Sequence, residues 1–147
     1  MRVLLGLGLC FLSACQTVPQ NTRTDQVISP ALAVMAAADA APAGFPGTFG
    51  FRVMRADFVG PRLFLNSYPD YRDQRNLSIA IEPGAIPALR NAFGQDLKSA
   101  FMNHDIRVQG IARRRRIDFT TDGRPTGKYY YQTHVIVTEP EQIRVVG

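Results

Sequence analysis

Four consecutive arginines, Arg113 to Arg116, form the densest run of charge in the chain. A guanidinium is planar, permanently charged and able to grip a phosphate with two parallel hydrogen bonds. In an extended strand successive side chains point to opposite faces. Arg113 and Arg115 would then share one face, and Arg114 and Arg116 the other. Neither pair can be buried unmatched, so the run is expected on a hairpin that projects past the core with both faces wet. Lys128 and Tyr129-Tyr130-Tyr131 follow on what should be the partner strand. Aromatic rings beside arginines are what single-stranded nucleic-acid or sugar sites use for stacking. Alternation puts Tyr129 and Tyr131 on the face of Val135, the core side, and leaves Tyr130 for the surface. The candidate ligand-binding set is therefore Arg113, Arg114, Arg115, Arg116, Lys128 and Tyr130. A solvated hairpin offset by Asp118 and Asp122 would carry the same residues and no ligand.

Other reactive groups are sparse. His104 and His134 are the only histidines; one falls in a loop and the other in mid-strand, without metal-ligand spacing, so no metal and no cofactor are expected. Asp57, Asp70, Asp73 and Arg72 could serve a phosphodiesterase-like enzyme, but no serine, threonine or carboxylate pair sits in a catalytic pattern. A non-enzymatic protein is the expectation.

The two cysteines, Cys10 and Cys15, lie at the N-terminus. Met1-Arg2 is a minimal basic start. Val3 to Leu12 is an apolar run of signal-peptide length, too short to span a bilayer. Leu12-Ser13-Ala14-Cys15 then resembles the lipobox of bacterial lipoproteins, in which small residues enter a peptidase cleft and the cysteine takes the lipid. The resemblance implies a signal peptide over residues 1–14, lipidation at Cys15, and a firm membrane anchor of several acyl chains, palmitate among them. Gln16 after the cysteine implies the outer membrane, facing the periplasm, in a Gram-negative cell. Cys10 would leave with the leader and the lipid would occupy Cys15, so no disulfide is available to the fold. Loss of Arg2 leaves 16 of the 17 basic residues against 12 acidic ones, a net charge of +4. That balance suits anionic partners without choosing among lipid, wall polymer and nucleic acid.

The elements that must position these groups follow from periodicity. Residues 15–47 read as a lipidated N-terminus and flexible tether. Ser29-Pro30 can start a short helix over 30–41, whose small apolar face gives weak docking. A domain is expected over 48–147. Phe49-Phe51-Val53, Leu63-Leu65 and Leu77-Ile79-Ile81 alternate as strands. Ile86, Leu89, Phe93, Leu97 and Phe101 recur at helical spacing, with Gly94 as an interruption. Ile106 and Val108 share one parity while Ile111, Ile117 and Phe119 share the other, which predicts a bulge or bend near Gly110. Thr121 to Pro125 is a turn, Tyr129 to Val137 a strand, and Ile143 and Val145 pack the tail back.

Three strands, a helix and a two-stranded hairpin make a mainly β fold: a five-stranded OB-like barrel with one helix between strands three and four. Phe64-Leu65-Asn66, Leu77 to Ile81, Ile106 to Gly110 and Val137 to Ile143 resemble a recurrent bacterial OB-type module found with DNA-binding or nuclease-like proteins. The likeness spans Phe49 to Val146, and the long Arg- and Tyr-rich hairpin departs from it. The resulting expectation is an envelope lipoprotein acting as a non-catalytic binding or scaffold module that meets an anionic polymer through the arginine hairpin. Nucleic acid is one such polymer. The alternative is an accessory subunit docked on an envelope protein partner.

Overall fold

The structure, a computed structural model, describes residues 26–147. The leader, Cys15 and the tether as far as residue 25 lie outside the described residues. The chain is mainly β, with eight strands in one mixed sheet rather than the five expected. They are β1 (Val27–Ile28), β2 (Phe45–Arg52), β3 (Arg55–Val59), β4 (Arg62–Asn66), β5 (Leu77–Ile81), β6 (Asp105–Thr121), β7 (Arg124–Val137) and β8 (Ile143–Val146). The order is β1-β2-β6-β7-β5-β4-β3, with β8 also on β6. β1–β2 and β5–β7 run parallel; the other pairs are antiparallel.

The unexpected strands have simple origins. β3 carries only one buried side chain, Ala56, so its sequence shows no apolar alternation. β1 is two residues long and falls within the segment that reads as tether. β8 is the tail that Ile143 and Val145 were expected to pack, here paired with Asp105 to Val108.

The sheet curls until its ends meet. β2 and β3 lie far apart in the strand order, yet only Val53 and Met54 separate them in sequence. At that bend Val53 N–H donates to His104 O at 2.9 Å, and Met54 N–H donates to Asn66 O at 2.9 Å. One bent segment thus serves β6 on one side and β4 on the other. The enclosed core holds Phe49, Leu63, Leu65, Ile79, Ile81, Ile106, Val108, Val135 and Val137, each at or below 1% exposure.

Three helices cover this core. α1 (Pro30–Asp39) begins as expected, with Ser29 Oγ accepting from Leu32 N–H and Pro30 in the first turn. Its docking is firmer than expected: Ala33 and Ala37 are wholly buried, and the helix packs over β2, β5, β6 and β7. Small side chains let the helix axis approach the sheet, so a weak apolar face still makes a tight joint. The expected boundary at Thr48 falls inside β2. α2 (Ile86–Phe93) and α3 (Leu97–Phe101) lie between β5 and β6 and are split at Gly94, whose φ of 96° no helix continues through.

No bulge forms near Gly110. The β2–β6 register runs unbroken from Phe45↔Ala112 to Arg52↔Asp105. Burial keeps one parity through Ile106, Val108 and Ala112, while Ile111 and Phe119 stay exposed and Ile117 half-buried on the outer face. Gly110 marks a close approach instead, because a Cβ there would stand 2.7 Å from Val135 Cγ1. The register shift in β6–β7 lies further out, between Asp118 and Thr120.

Candidate functional site

β6 and β7 outrun the rest of the sheet. β2 flanks β6 only as far as Ala112, and β5 flanks β7 only from Thr133 onward. Residues 113–132 therefore form a two-stranded ribbon closed by the Asp122-Gly123 turn. Both turn residues have positive φ, 51° and 74°, the geometry that Asp-Gly suits and that matches strand twist.

All four arginines are exposed on this ribbon. Arg114 and Arg116 share a face with Tyr129 and Tyr131, and Arg113 and Arg115 share the other with Tyr130 and Gln132. The first face extends the core side, as alternation required, but the core has ended there. Tyr129 and Tyr131 are consequently 49% and 37% exposed, which corrects their expected burial. They pack edge to face at 5.7 Å. Arg114 lies 3.7 Å over the Tyr131 ring and Arg116 4.1 Å over Tyr129, so cation–π stacking orders both guanidiniums. Arg116 is further paired to Asp118 at 2.8 Å. Arg113, Arg114 and Arg115 make no ion pair among the described residues. Lys128 is exposed beside the register shift, where its N–H donates to Thr126 Oγ1.

Tyr130, expected at the surface, is half-buried. It stacks on Phe119 at 5.2 Å and faces a groove of about 550 Å3 on the outer side of the sheet, within the size range of small-ligand sites. Phe64 and His134 are in this groove, with Ile117, Tyr71 and Phe58 around them. Along β7 the Gln132 amide donates to Tyr130 Oη at 2.7 Å, and Gln132 Oε1 faces His134 Nε2 at 2.7 Å. His134 also meets the Phe64 ring edge-on at 5.9 Å. Burial, helped by Arg115, pushes the His134 pKa down to about 4; burial pushes the Tyr130 phenol up.

A loop over residues 67–76 closes one side of the groove. Asn76 Nδ2 donates to Asn66 Oδ1 at 3.0 Å and to Ser78 Oγ at 2.9 Å, while Asn76 Oδ1 accepts from Tyr68 N–H and Ser67 Oγ. Asn66, Asn76 and Ser78 are at most 3% exposed, so the network pins the loop to the sheet. Polar residues at the facing ends of two strands were the available sequence signal. The loop presents Tyr71 between Arg55 and Arg72, 5.7 and 5.6 Å from its ring.

The carboxylates that could serve catalysis are dispersed and occupied. Arg55 holds Asp57 below the usual carboxylate range, with Lys98 at 3.2 Å. Arg72 does the same to Asp70, and Arg75 brings Asp73 to about 2. His104 is exposed in a loop, with Nδ1 3.0 Å from Met102 O. No group of three metal-ligating side chains occurs among the described residues, and no helix among them is long and apolar enough to cross a membrane.

No protein-family model and no curated protein sequence matches the chain. Among solved structures it is similar to a protein described as an aspartyl-tRNA synthetase from Leishmania major Friedlin (11% identity, TM-score 0.48, 88% of this chain and 22% of that one). It is also similar to the aspartyl tRNA synthetase from Entamoeba histolytica (12%, 0.45, 99% and 26%) and the asparaginyl-tRNA synthetase from Pyrococcus horikoshii (17%, 0.36, 70% and 20%). The chain spans about a quarter or less of each, and likenesses this distant carry no weight for its activity or partners.

Proposed function

We propose that this chain is a lipid-anchored envelope protein whose domain is a non-catalytic, OB-type binding module for a phosphate-bearing polymer. The reading of the fold rests on connectivity. If β2 and β3 count as one bent strand, the strands pair in OB order, with parallel β5–β7 contact and the helices between β5 and β6. Anchoring rests on the Cys15 lipobox.

Polymer binding rests on one observation: Arg113, Arg114 and Arg115 stand exposed, without an ion pair among the described residues, on a ribbon that leaves the sheet. A fold has no packing reason to gather like charges there, and each guanidinium keeps its donors for a ligand. Arg113 and Arg115 flank the aromatic groove, so a polymer lying along that face would meet cations and then rings. A carboxylate already bound to arginine makes a poor general base, which favours binding over hydrolysis.

The test is affinity against salt. The full chain should bind oligothymidylate, with the two phosphate contacts of Arg113 and Arg115 giving a slope of about −1.4 in log affinity against log salt. Replacing Arg113 to Arg116 with Gln should remove both binding and slope. Binding that is absent, or indifferent to salt, would refute the reading.

A second reading has its own observation. The outer edges of β6 and β7 beyond Ala112 and before Thr133 have no strand partner among the described residues, and such edges accept strands from other proteins. An accessory-subunit role predicts a stoichiometric protein partner on purification from detergent-solubilised membranes, retained after the arginine replacements.

A further inference from the structure

The core-side face of the ribbon borders a second cavity, which shares only Tyr130 with the lining of the outer groove. It measures about 270 Å3 and lies between α1, the 67–76 loop and the ribbon, lined by Val34, Ala38, Gln74, Arg114, Tyr131 and Thr133 among others. Its chemistry is one-sided. Its side chains offer hydrogen-bond donors: the Arg114 guanidinium, the Gln74 amide, the Thr133 hydroxyl and the phenols of Tyr129 and Tyr131. No carboxylate lines it. Arg114 is held 3.7 Å over the Tyr131 ring and makes no ion pair among the described residues, so its fork is ordered before any ligand arrives.

We propose that this cavity is a binding site for a phosphorylated monosaccharide, with the phosphate on Arg114 and the sugar between the tyrosines and α1. A pre-ordered guanidinium loses little freedom on gripping a phosphate in bidentate fashion. The Gln74 amide and the hydroxyls suit the sugar's own hydroxyls, and Val34 and Ala38 give the apolar wall that a sugar ring packs on. The volume lies just under the ~300–1,000 Å3 of drug-sized sites, which suits a single ring. The site uses the ribbon face opposite to Arg113 and Arg115, and α1 supplies one of its walls.

Calorimetric titration of the full chain with glucose 1-phosphate tests this, with glucose and inorganic phosphate as controls. Glucose 1-phosphate should bind at least tenfold more tightly than either control. Arg114→Lys keeps the charge but loses the fork and should weaken binding tenfold or more. Ala38→Leu fills the cavity from a helix position that favours leucine and should abolish binding; should that variant not fold, Gln74→Leu on the exposed loop removes the amide offered to the sugar and should weaken binding tenfold or more. Arg113→Gln with Arg115→Gln should lose oligothymidylate and keep the sugar phosphate, which separates this site from the polymer reading. The proposal is overturned if the native chain does not bind glucose 1-phosphate. It is equally overturned if inorganic phosphate binds as well, or if the Ala38→Leu and Gln74→Leu variants both bind unchanged.

Discussion

At the residue scale, burial decides what individual side chains can do. His134 is legible as a strand residue, but its environment is not. In an unfolded chain its imidazole titrates near 6.5, and burial in the groove brings that to about 4. Above pH 6.5 both states are neutral and His134 adds no pH dependence. Between pH 6.5 and 4 the unfolded chain binds a proton that the folded one does not, so stability falls as pH falls. Below 4 the loss is complete, on the order of 3 kcal/mol. His134→Gln should flatten unfolding midpoints measured across that window; a variant with the native slope would contradict this. The lowered carboxylates act further down, since their stabilisation disappears as pH drops through their folded values. Asn76→Ala should destabilise by about 2 kcal/mol, because it removes the amide that ties the loop to Asn66 and Ser78 and leaves only their hydrogen bond to each other. Urea titration measures it, and an unchanged midpoint would mean water replaces the amide.

Among the elements, the ribbon depends on how its root is tied. β7 and β8 run along one edge of β6, interrupted at residues 138–142. Gln142 spans that gap: its Oε1 accepts from Thr138 and Glu139 N–H, and its Nε2 donates to Gln109 O and Ile136 O. One side chain thus stands in for missing ladder bonds. Gln142→Ala should cost about 2 kcal/mol and loosen β8 before the core; equal loss across all strands in hydrogen exchange would show a global effect instead. Near Gly110, parity alone predicts a bend that does not form. Ile111, Ile117 and Phe119 have the pattern of a second core set, whereas they face the outer surface of a strand that has outgrown its sheet. An apolar side chain need not be buried, and a sequence cannot show where a neighbouring strand stops.

Across the whole molecule, stability should be graded. The curled sheet is sealed by helices, while an isolated two-stranded ribbon is marginal in water. The cation–π stacks of Arg114 and Arg116 contribute about 0.5–1 kcal/mol each at exposed sites. Amides of residues 115–131 should therefore exchange orders of magnitude faster than those of β2 and β5, and ligand binding at the arginines should slow them. Uniform protection from core to tip would show that the ribbon is held by something more than its own ladder.

Local chemistry along the chain was enough for the mainly β class, the helical segment broken at Gly94, the projecting arginine hairpin and its turn. Alternation, helical spacing and the cost of burying unpaired charge each act within a few residues. Long-range packing supplied the rest. The eight-strand order, the bend joining β2 to β3, the docking of α1 through Ala33 and Ala37, and the groove around His134 all depend on which distant segments meet. Such meetings are set by the fit of whole surfaces, which no spacing within a single strand records. The same holds for the arginines: the chain dictated that they would be wet, and the fold decided that two would stack on tyrosines and that one of those would face a cavity.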